Sequence, residues 1–218
     1  MKTQTKLIVA SAAFIAAIAG QASAQNTASW TRWTSTGPSI VDGTLATNGG
    51  PVAVTYTGEI FFTQINNTGT NFWQPDSPYI GPVLANGPDV TDIITIIGGN
   101  QTVNRVHFSQ PVLNPIFAIL SLGQSGLTIT YNFDTPFTIL SDGPGFFGGP
   151  GTLQLAGNAT LTGTEGHGAI LFPGMIQDIS WTVPTAETWH GFTVGILPTP
   201  GAAALLGLGG FAAMRRRR

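Results

Sequence analysis

The chain has 218 residues, with 29 Gly, 15 Pro, no Cys and only 8% charged side chains. Without Cys there are no disulfides, thiol nucleophiles or Cys-ligated zinc sites. Six of the eight basic residues sit at the two ends, so the rest of the chain sets Arg32 and Arg105 against all ten acidic residues; that net charge of −8 offers no basic surface to a phosphate backbone and argues against nucleic acid as a partner.

Residues 1–24 read as a secretion signal. Lys2 and Lys6 form a positive start, Leu7 to Ala19 is an apolar run, and Ala22-Ser23-Ala24 fits the small-x-small cleavage rule, predicting Gln25 as the mature N-terminus. Beyond it, strand signals recur at short intervals: 52–56, 60–65, 93–97, 102–108, 116–122, 127–133, 137–140, 152–155, 159–162, 168–172, 178–183 and 192–196. Gly- and Pro-rich clusters separate them, as at Asp142-Gly143-Pro144-Gly145. Gly98-Gly99-Asn100 between two apolar runs predicts a hairpin. Leu127 to Phe133 alternates apolar and polar residues, the mark of a half-buried strand. Residues 66–90 have few strand signals and many Pro and Gly, which predicts a long surface loop carrying Phe72, Trp73 and Tyr79.

The other end has three parts. Leu197-Pro198-Thr199-Pro200 is a stiff extended stretch, because two prolines resist helix. Gly201 to Met214 is apolar, and Arg215, Arg216, Arg217 and Arg218 follow. Fourteen apolar residues make about 21 Å of helix against a hydrocarbon core of about 30 Å. Such a span is marginal; adding Ile196 and Leu197, or letting the arginine stems snorkel, would lengthen it. The arginines belong on the cytoplasmic side, which puts the body outside.

Dispersed chemistry gives no catalytic assignment. Asp89 with Asp92, Asp134 with Asp142, and Glu165 with Asp178 are candidate carboxylate pairs for glycoside hydrolysis, but ten acids make chance pairs easy. Glu165-Gly166-His167-Gly168 is the sharpest polar cluster, and its glycines read first as a tight turn. There is no H-E-x-x-H, G-x-S-x-G, P-loop or EF-hand loop, and no metal or cofactor is expected. Trp181 and Trp189 fall in strand-like stretches and are expected in the core, whereas Phe72, Trp73 and Tyr79 are the candidate ligand-binding rings.

The tail, Pro198-Thr199-Pro200 followed by GAAALLGLGGFAAM and four arginines, resembles the PEP-CTERM sorting signal of exported bacterial proteins, with Thr199 where Glu is usual. That resemblance implies an exosortase-type processing enzyme as partner, transient anchoring in the inner membrane, and release to the cell surface or extracellular space. Leu197-Pro198-Thr199-Pro200-Gly201 is also similar to the sortase motif LPxTG, but Pro200 replaces the Thr at which sortase acts. In the body, Phe72-Trp73-Gln74-Pro75, the stretch Phe108 to Pro115, Ser121-Leu122-Gly123-Gln124 and the stretch Trp189 to Gly195 resemble uncharacterised exported proteins bearing such tails. The expectation is thus an all-β antiparallel sandwich, jelly-roll-like, over residues 25–196. A signal helix precedes it (1–24), and a sorting tail with a transmembrane helix follows (197–218). The expected role is non-catalytic display. The alternatives are a carbohydrate-binding module for exopolysaccharide and a secreted glycan-acting enzyme.

Overall fold

The computed structural model describes residues 25–198; Ala22 and Ala24 of the expected cleavage site, and Thr199, Pro200 and Arg215 to Arg218 of the expected tail, lie outside the described residues. Fifteen strands follow one another: β1 (Ser29–Trp30), β2 (Arg32–Thr36), β3 (Ile40–Thr47), β4 (Gly50–Thr57), β5 (Phe62–Gln64), β6 (Ile93–Ile96), β7 (Asn104–Leu113), β8 (Pro115–Leu122), β9 (Ile129–Phe133), β10 (Thr138–Asp142), β11 (Thr152–Ala156), β12 (Thr160–Thr164), β13 (Gly166–Leu171), β14 (Met175–Thr182) and β15 (His190–Ile196). Among the described residues the one helical element is a 3-10 turn, Ser77–Tyr79, and no helix is long and apolar enough to cross a membrane.

The strands form two antiparallel sheets packed as a sandwich. One runs β10-β13-β8-β15-β6-β5, with β1 added to β15; the other runs β11-β12-β9-β14-β7-β4-β3-β2. The twelve strand signals correspond to β4–β15, while β1–β3 had no counterpart in the sequence reading. Period-two alternation sets the buried face: Ile129, Tyr131 and Phe133 of β9, and Val52, Val54 and Tyr56 of β4, point into the space between the sheets. Large rings fill that space at steep angles, as where Phe117 meets Trp181 at 5.5 Å and 80°.

Strand β8 explains the rest of the architecture. Every residue of Pro115–Leu122 is buried. Phe117, Ile119 and Leu122 face the second sheet, whereas Ile116, Ala118 and Leu120 face the other way, onto Trp30, Trp73, Tyr79, Leu84 and Ile93. A strand apolar on both faces must be covered on both. Residues 66–90 supply that cover, so they are a third layer rather than the expected surface loop, and Trp73 and Tyr79 are fully buried in it.

Two further expectations need correction. Gly98-Gly99-Asn100 does not close a hairpin, because β6 belongs to the first sheet and β7 to the second. The two glycines, with φ of +81° and +76°, instead carry the chain between sheets, where the Glu59 carboxylate accepts the Gly98 N–H at 3.0 Å. Ile196 and Leu197 cannot lengthen a membrane span, since both are spent in the body: Ile196 pairs with Ser29 and Pro115, and Leu197 is buried with its N–H donated to the Asn114 carbonyl at 3.1 Å.

The pairing of β1 with β15 sets Ser29 opposite Ile196, and β15 finishes at one end of the sandwich beside Asn114; upstream of Ser29 the chain turns instead across the outer face of the first sheet, where Asn26 bonds to Val83 and Gln25 to the Gly81 carbonyl. Strand β15 then runs the other way for seven residues, about 23 Å, up to His190 at the opposite end. That opposite end carries the polar chemistry.

Candidate functional site

The polar site is built where β8 leaves the first sheet and β13 enters it. Their register slips between Gly166 and Gly168, which turns His167 inward at a bulge. Ser121 and Glu165 flank the slip, and both take left-handed backbone conformations, with φ of +55° and +53°. Such conformations are costly for residues with a Cβ and collect at functional sites. Three contacts tie the segment together. The Ser121 hydroxyl donates to Glu165 Oε1 at 2.5 Å. The Ser121 main-chain N–H donates to His167 Nδ1 at 3.3 Å, and the Tyr79 hydroxyl lies 3.4 Å from the same nitrogen.

A ring nitrogen that accepts an N–H carries no proton, so His167 is protonated at Nε2, 3.8 Å from Glu165 Oε1. Burial pushes the His167 pKa down to about 4, so the ring is neutral at physiological pH. His167 therefore reaches the main chain of Ser121 and not its hydroxyl, and the Ser-to-His proton relay of a serine hydrolase is not assembled here.

Glu187 reaches the same place from the segment before β15. Its Oε1 accepts the N–H of Gly123, whose φ is +79°, at 2.8 Å. His190 Nδ1 lies 2.7 Å from that oxygen but off the line of a hydrogen bond. Behind Glu187 the interior is polar: the Tyr131 ring lies 5.2 Å from His190 and 5.9 Å from Trp181, and the Tyr131 hydroxyl, Trp181 Nε1 and His190 Nε2 have no hydrogen-bond partner among the described residues. Burial holds the Tyr131 hydroxyl far above its ordinary pKa, with Glu187 adding to the effect.

Ser121, Glu165 and Glu187, together with Gln124, Phe147, Thr188 and Trp189, line a cleft of about 200 Å³. The two basic side chains of the described residues are engaged elsewhere, Arg32 with Asp89 at 2.8 Å and Arg105 with Asp178. Two carboxylates thus meet the cleft with no basic side chain beside them. Next to it lies a continuous patch of rings. Trp189 touches Phe62 (5.1 Å), Phe72 (5.4 Å) and Phe147 (5.4 Å), and Phe146 packs on Phe72 and Phe147 at 5.0 Å each. Phe146 is 41% exposed and Phe147 47%. A larger hollow of about 300 Å³ lies at the end where β15 finishes, lined among others by Val112, Leu113, Ile196 and Pro198, and it holds no titratable group.

Of the three rings expected to bind ligand, only Phe72 reaches this surface, and it is half-buried. Trp73 and Tyr79 are interior, their planes 80° apart, and present no face to solvent. Trp181 is in the core as expected, while Trp189 is only half-buried and belongs to the exposed patch. Asp89 and Asp92 lie near each other, but none of the expected acid pairs lines the cleft together. Asp89 is bound by Arg32, Asp92 is buried and accepts the N–H groups of Trp33 and Asn67, and Asp178 sits on the second sheet with Arg105 and His107. Glu165 is brought to Glu187 instead, 22 positions along the chain. Pro198 lies at the other end of the body and is half-buried, whereas Gln25 is exposed and donates to the Gly81 carbonyl at 2.8 Å. Among the described residues no group of three or more His, Cys, Asp or Glu side chains is placed to hold a metal ion. No protein-family model, curated protein or solved structure matches the chain.

Proposed function

We propose that this is an exported protein displayed outside the inner membrane, held for a time by its C-terminal tail until an exosortase-type enzyme acts near Pro198-Thr199-Pro200, and that its cleft binds a neutral saccharide of the surrounding exopolysaccharide without catalysing a reaction. One observation carries the reading: the C-terminal end of the described chain, Ile196 to Pro198, lies at one end of the sandwich, and the cleft lies a full strand length away at the other. A tail fixed in the bilayer would therefore turn the cleft outward. The signal-like residues 1–24 and the cationic end Arg215 to Arg218 support the same polarity. The sandwich is read as jelly-roll-like because consecutive strands alternate between sheets from β8 to β11 and from β13 to β15.

The ligand class follows from the lining. Glu165 and Gln124 offer acceptors to hydroxyls, while the exposed Phe147 ring beside the half-buried Trp189 suits the C–H face of a sugar. Two carboxylates beside no cation disfavour uronic or phosphorylated sugars. The volume is below the roughly 300–1,000 Å³ usual for drug-sized ligands, which fits one sugar ring in the cleft and a chain continuing over the aromatic patch.

The test is a glycan array followed by calorimetry with neutral and acidic oligosaccharides. Binding of neutral chains, weakened about tenfold by Phe147→Ala for a lost ring contact of order 1.4 kcal/mol, is expected. Silence across the array, or preference for acidic chains, would remove the saccharide reading. Two carboxylates on one cleft also favour a second reading, glycoside hydrolysis. New reducing ends from a bound oligosaccharide would establish that one.

A further inference from the structure

The end of the sandwich where β15 finishes, bearing Ile196 and Leu197, has a composition unlike the rest of the acidic body. It is made by the β3–β4 turn, the β7–β8 connection, the β13–β14 connection and the end of β15. Residues 43–58, 108–115, 171–177 and 196–198, which supply these pieces, contain no Asp, Glu, Lys or Arg. Leu113 and Met175 face each other across the β7–β14 ladder here, 42% and 63% exposed. Beside them lies the 300 Å³ hollow lined by Val52, Val112, Ile196 and Pro198. Uncharged, apolar-tipped surface at one pole of a body with net charge −8 suits a partner that would repel the acidic side chains found elsewhere.

The length of the connection to the tail names that partner. Leu197 is still part of the folded body, buried and bonded to Asn114. The apolar run starts at Gly201. Whatever conformation they take, four peptide steps from Leu197 to Gly201 reach at most about 14 Å. The headgroup layer beside a hydrocarbon core occupies roughly 5–8 Å of that. A body tethered so closely to a bilayer-inserted segment cannot stand clear of the surface. It must also meet the surface with the pole that bears Leu197, because that pole carries the tether.

We propose that this uncharged pole is a membrane seat: Leu113, Met175 and the rim of the adjoining hollow rest in the lipid headgroup layer while the tail is inserted. This inference rests on the proposed membrane anchoring and adds a defined contact face to it. The seat keeps all ten carboxylates off an anionic lipid surface, which would otherwise repel them. It also holds Pro198 at the depth where a membrane-embedded processing enzyme can reach the bond it cuts.

The chain has no cysteine, so single-cysteine labelling tests the seat directly. Met175→Cys and Phe147→Cys are made in the full-length chain, each at an exposed side chain, and labelled with an environment-sensitive fluorophore. The protein is reconstituted into phosphatidylcholine–phosphatidylglycerol vesicles, with and without a headgroup spin-labelled lipid, and co-flotation is scored in parallel. The seat predicts that the label at 175 shifts to the blue and loses most of its emission to the spin label, while the label at 147 does neither. Co-flotation with an unquenched label at 175 would overturn the seat and leave the anchor standing. Quenching at both positions would overturn it too, since the body would then lie flat. Failure to co-float would overturn the anchor and the seat together.

Discussion

Acid should destabilise the body through His167, and the size of the effect follows from its environment. The ring is fully buried and accepts the Ser121 N–H, and burial holds its pKa at about 4 against about 6.5 in the unfolded chain. Between those values the unfolded chain binds a proton that the native protein does not, so stability falls as pH drops through the window. The full span is about 3.4 kcal/mol, of which about 2 kcal/mol is lost between pH 7 and pH 5. For a body of this size that is a fall of roughly 4–8 °C in Tm. Two carboxylates lie outside this argument. Asp178 is pushed up by desolvation, but bonds from His107 and Arg105 outweigh it and hold its pKa below the ordinary value, so its effect comes at lower pH. Burial raises the Asp92 pKa against the pull of its N–H donors, so it contributes with the opposite sign, losing stability as pH rises. The comparison is therefore the wild-type body against His167→Asn, which keeps an acceptor near the Ser121 N–H and cannot titrate. Urea midpoints by tryptophan fluorescence at pH 7, 6 and 5 are the assay. The variant should lose about 2 kcal/mol less than wild type over that range. Equal pH slopes in the two proteins would refute the placement of a neutral, buried His167.

Trp73→Ala tests the third layer: emptying a fully buried indole site should cost about 3–5 kcal/mol in urea unfolding, whereas a ring on a surface loop would cost almost nothing. Gly123→Ala should destabilise by more than about 1 kcal/mol, because φ is +79° there and a Cβ would strike the Gly163 carbonyl; a neutral result would contradict the cleft's backbone geometry. Asp178→Asn should change stability by less than about 1 kcal/mol, since its partners Arg105 and His107 are half exposed and solvent screens the pair; a larger loss would show that this surface cluster holds the second sheet.

Strand content was legible in the sequence because period two and turn residues are local signals. Leu127 to Phe133 announced β9 and its buried face without reference to the rest of the chain. The third layer was not read, although its trace was present. The run Ile116-Phe117-Ala118-Ile119-Leu120 lacks polar alternation, which marks a strand buried on both faces and calls for cover from somewhere else in the chain. Residues 66–90 looked like a loop by composition because the cover is irregular backbone pinned by single anchors, Trp73, Tyr79 and Leu84. The N-terminal strands β2 and β3 were missed because Thr, Ser and Gly dilute their alternation, although Trp33, Val41 and Leu45 do keep it. Gly98-Gly99-Asn100 resembles a hairpin turn for a different reason: turn chemistry is local, but which sheet the next strand joins is not.

The candidate site was legible only in fragments. Glu165 and His167 stood out as a cluster, but nothing local linked them to Ser121 or to Glu187, which pairing of β8 with β13 and with β15 brings together. The exposed rings lie outside residues 66–90, from which only the half-buried Phe72 joins them. Phe146-Phe147, an apolar pair inside a Gly-Pro turn cluster, was the better signal, because large rings on short turns have little core to enter.

The central claim is polarity: one pole of the sandwich faces the bilayer and the cleft faces away, on the side opposite the C-terminal arginines. Phe147→Cys and Arg218→Cys, made separately in the full chain and expressed in cells without an enzyme that processes the tail, report it with a membrane-impermeant maleimide. The account predicts that spheroplasts label at 147 while intact and at 218 only after permeabilisation. Labelling at 218 in intact spheroplasts, or at 147 only after they are opened, would contradict it.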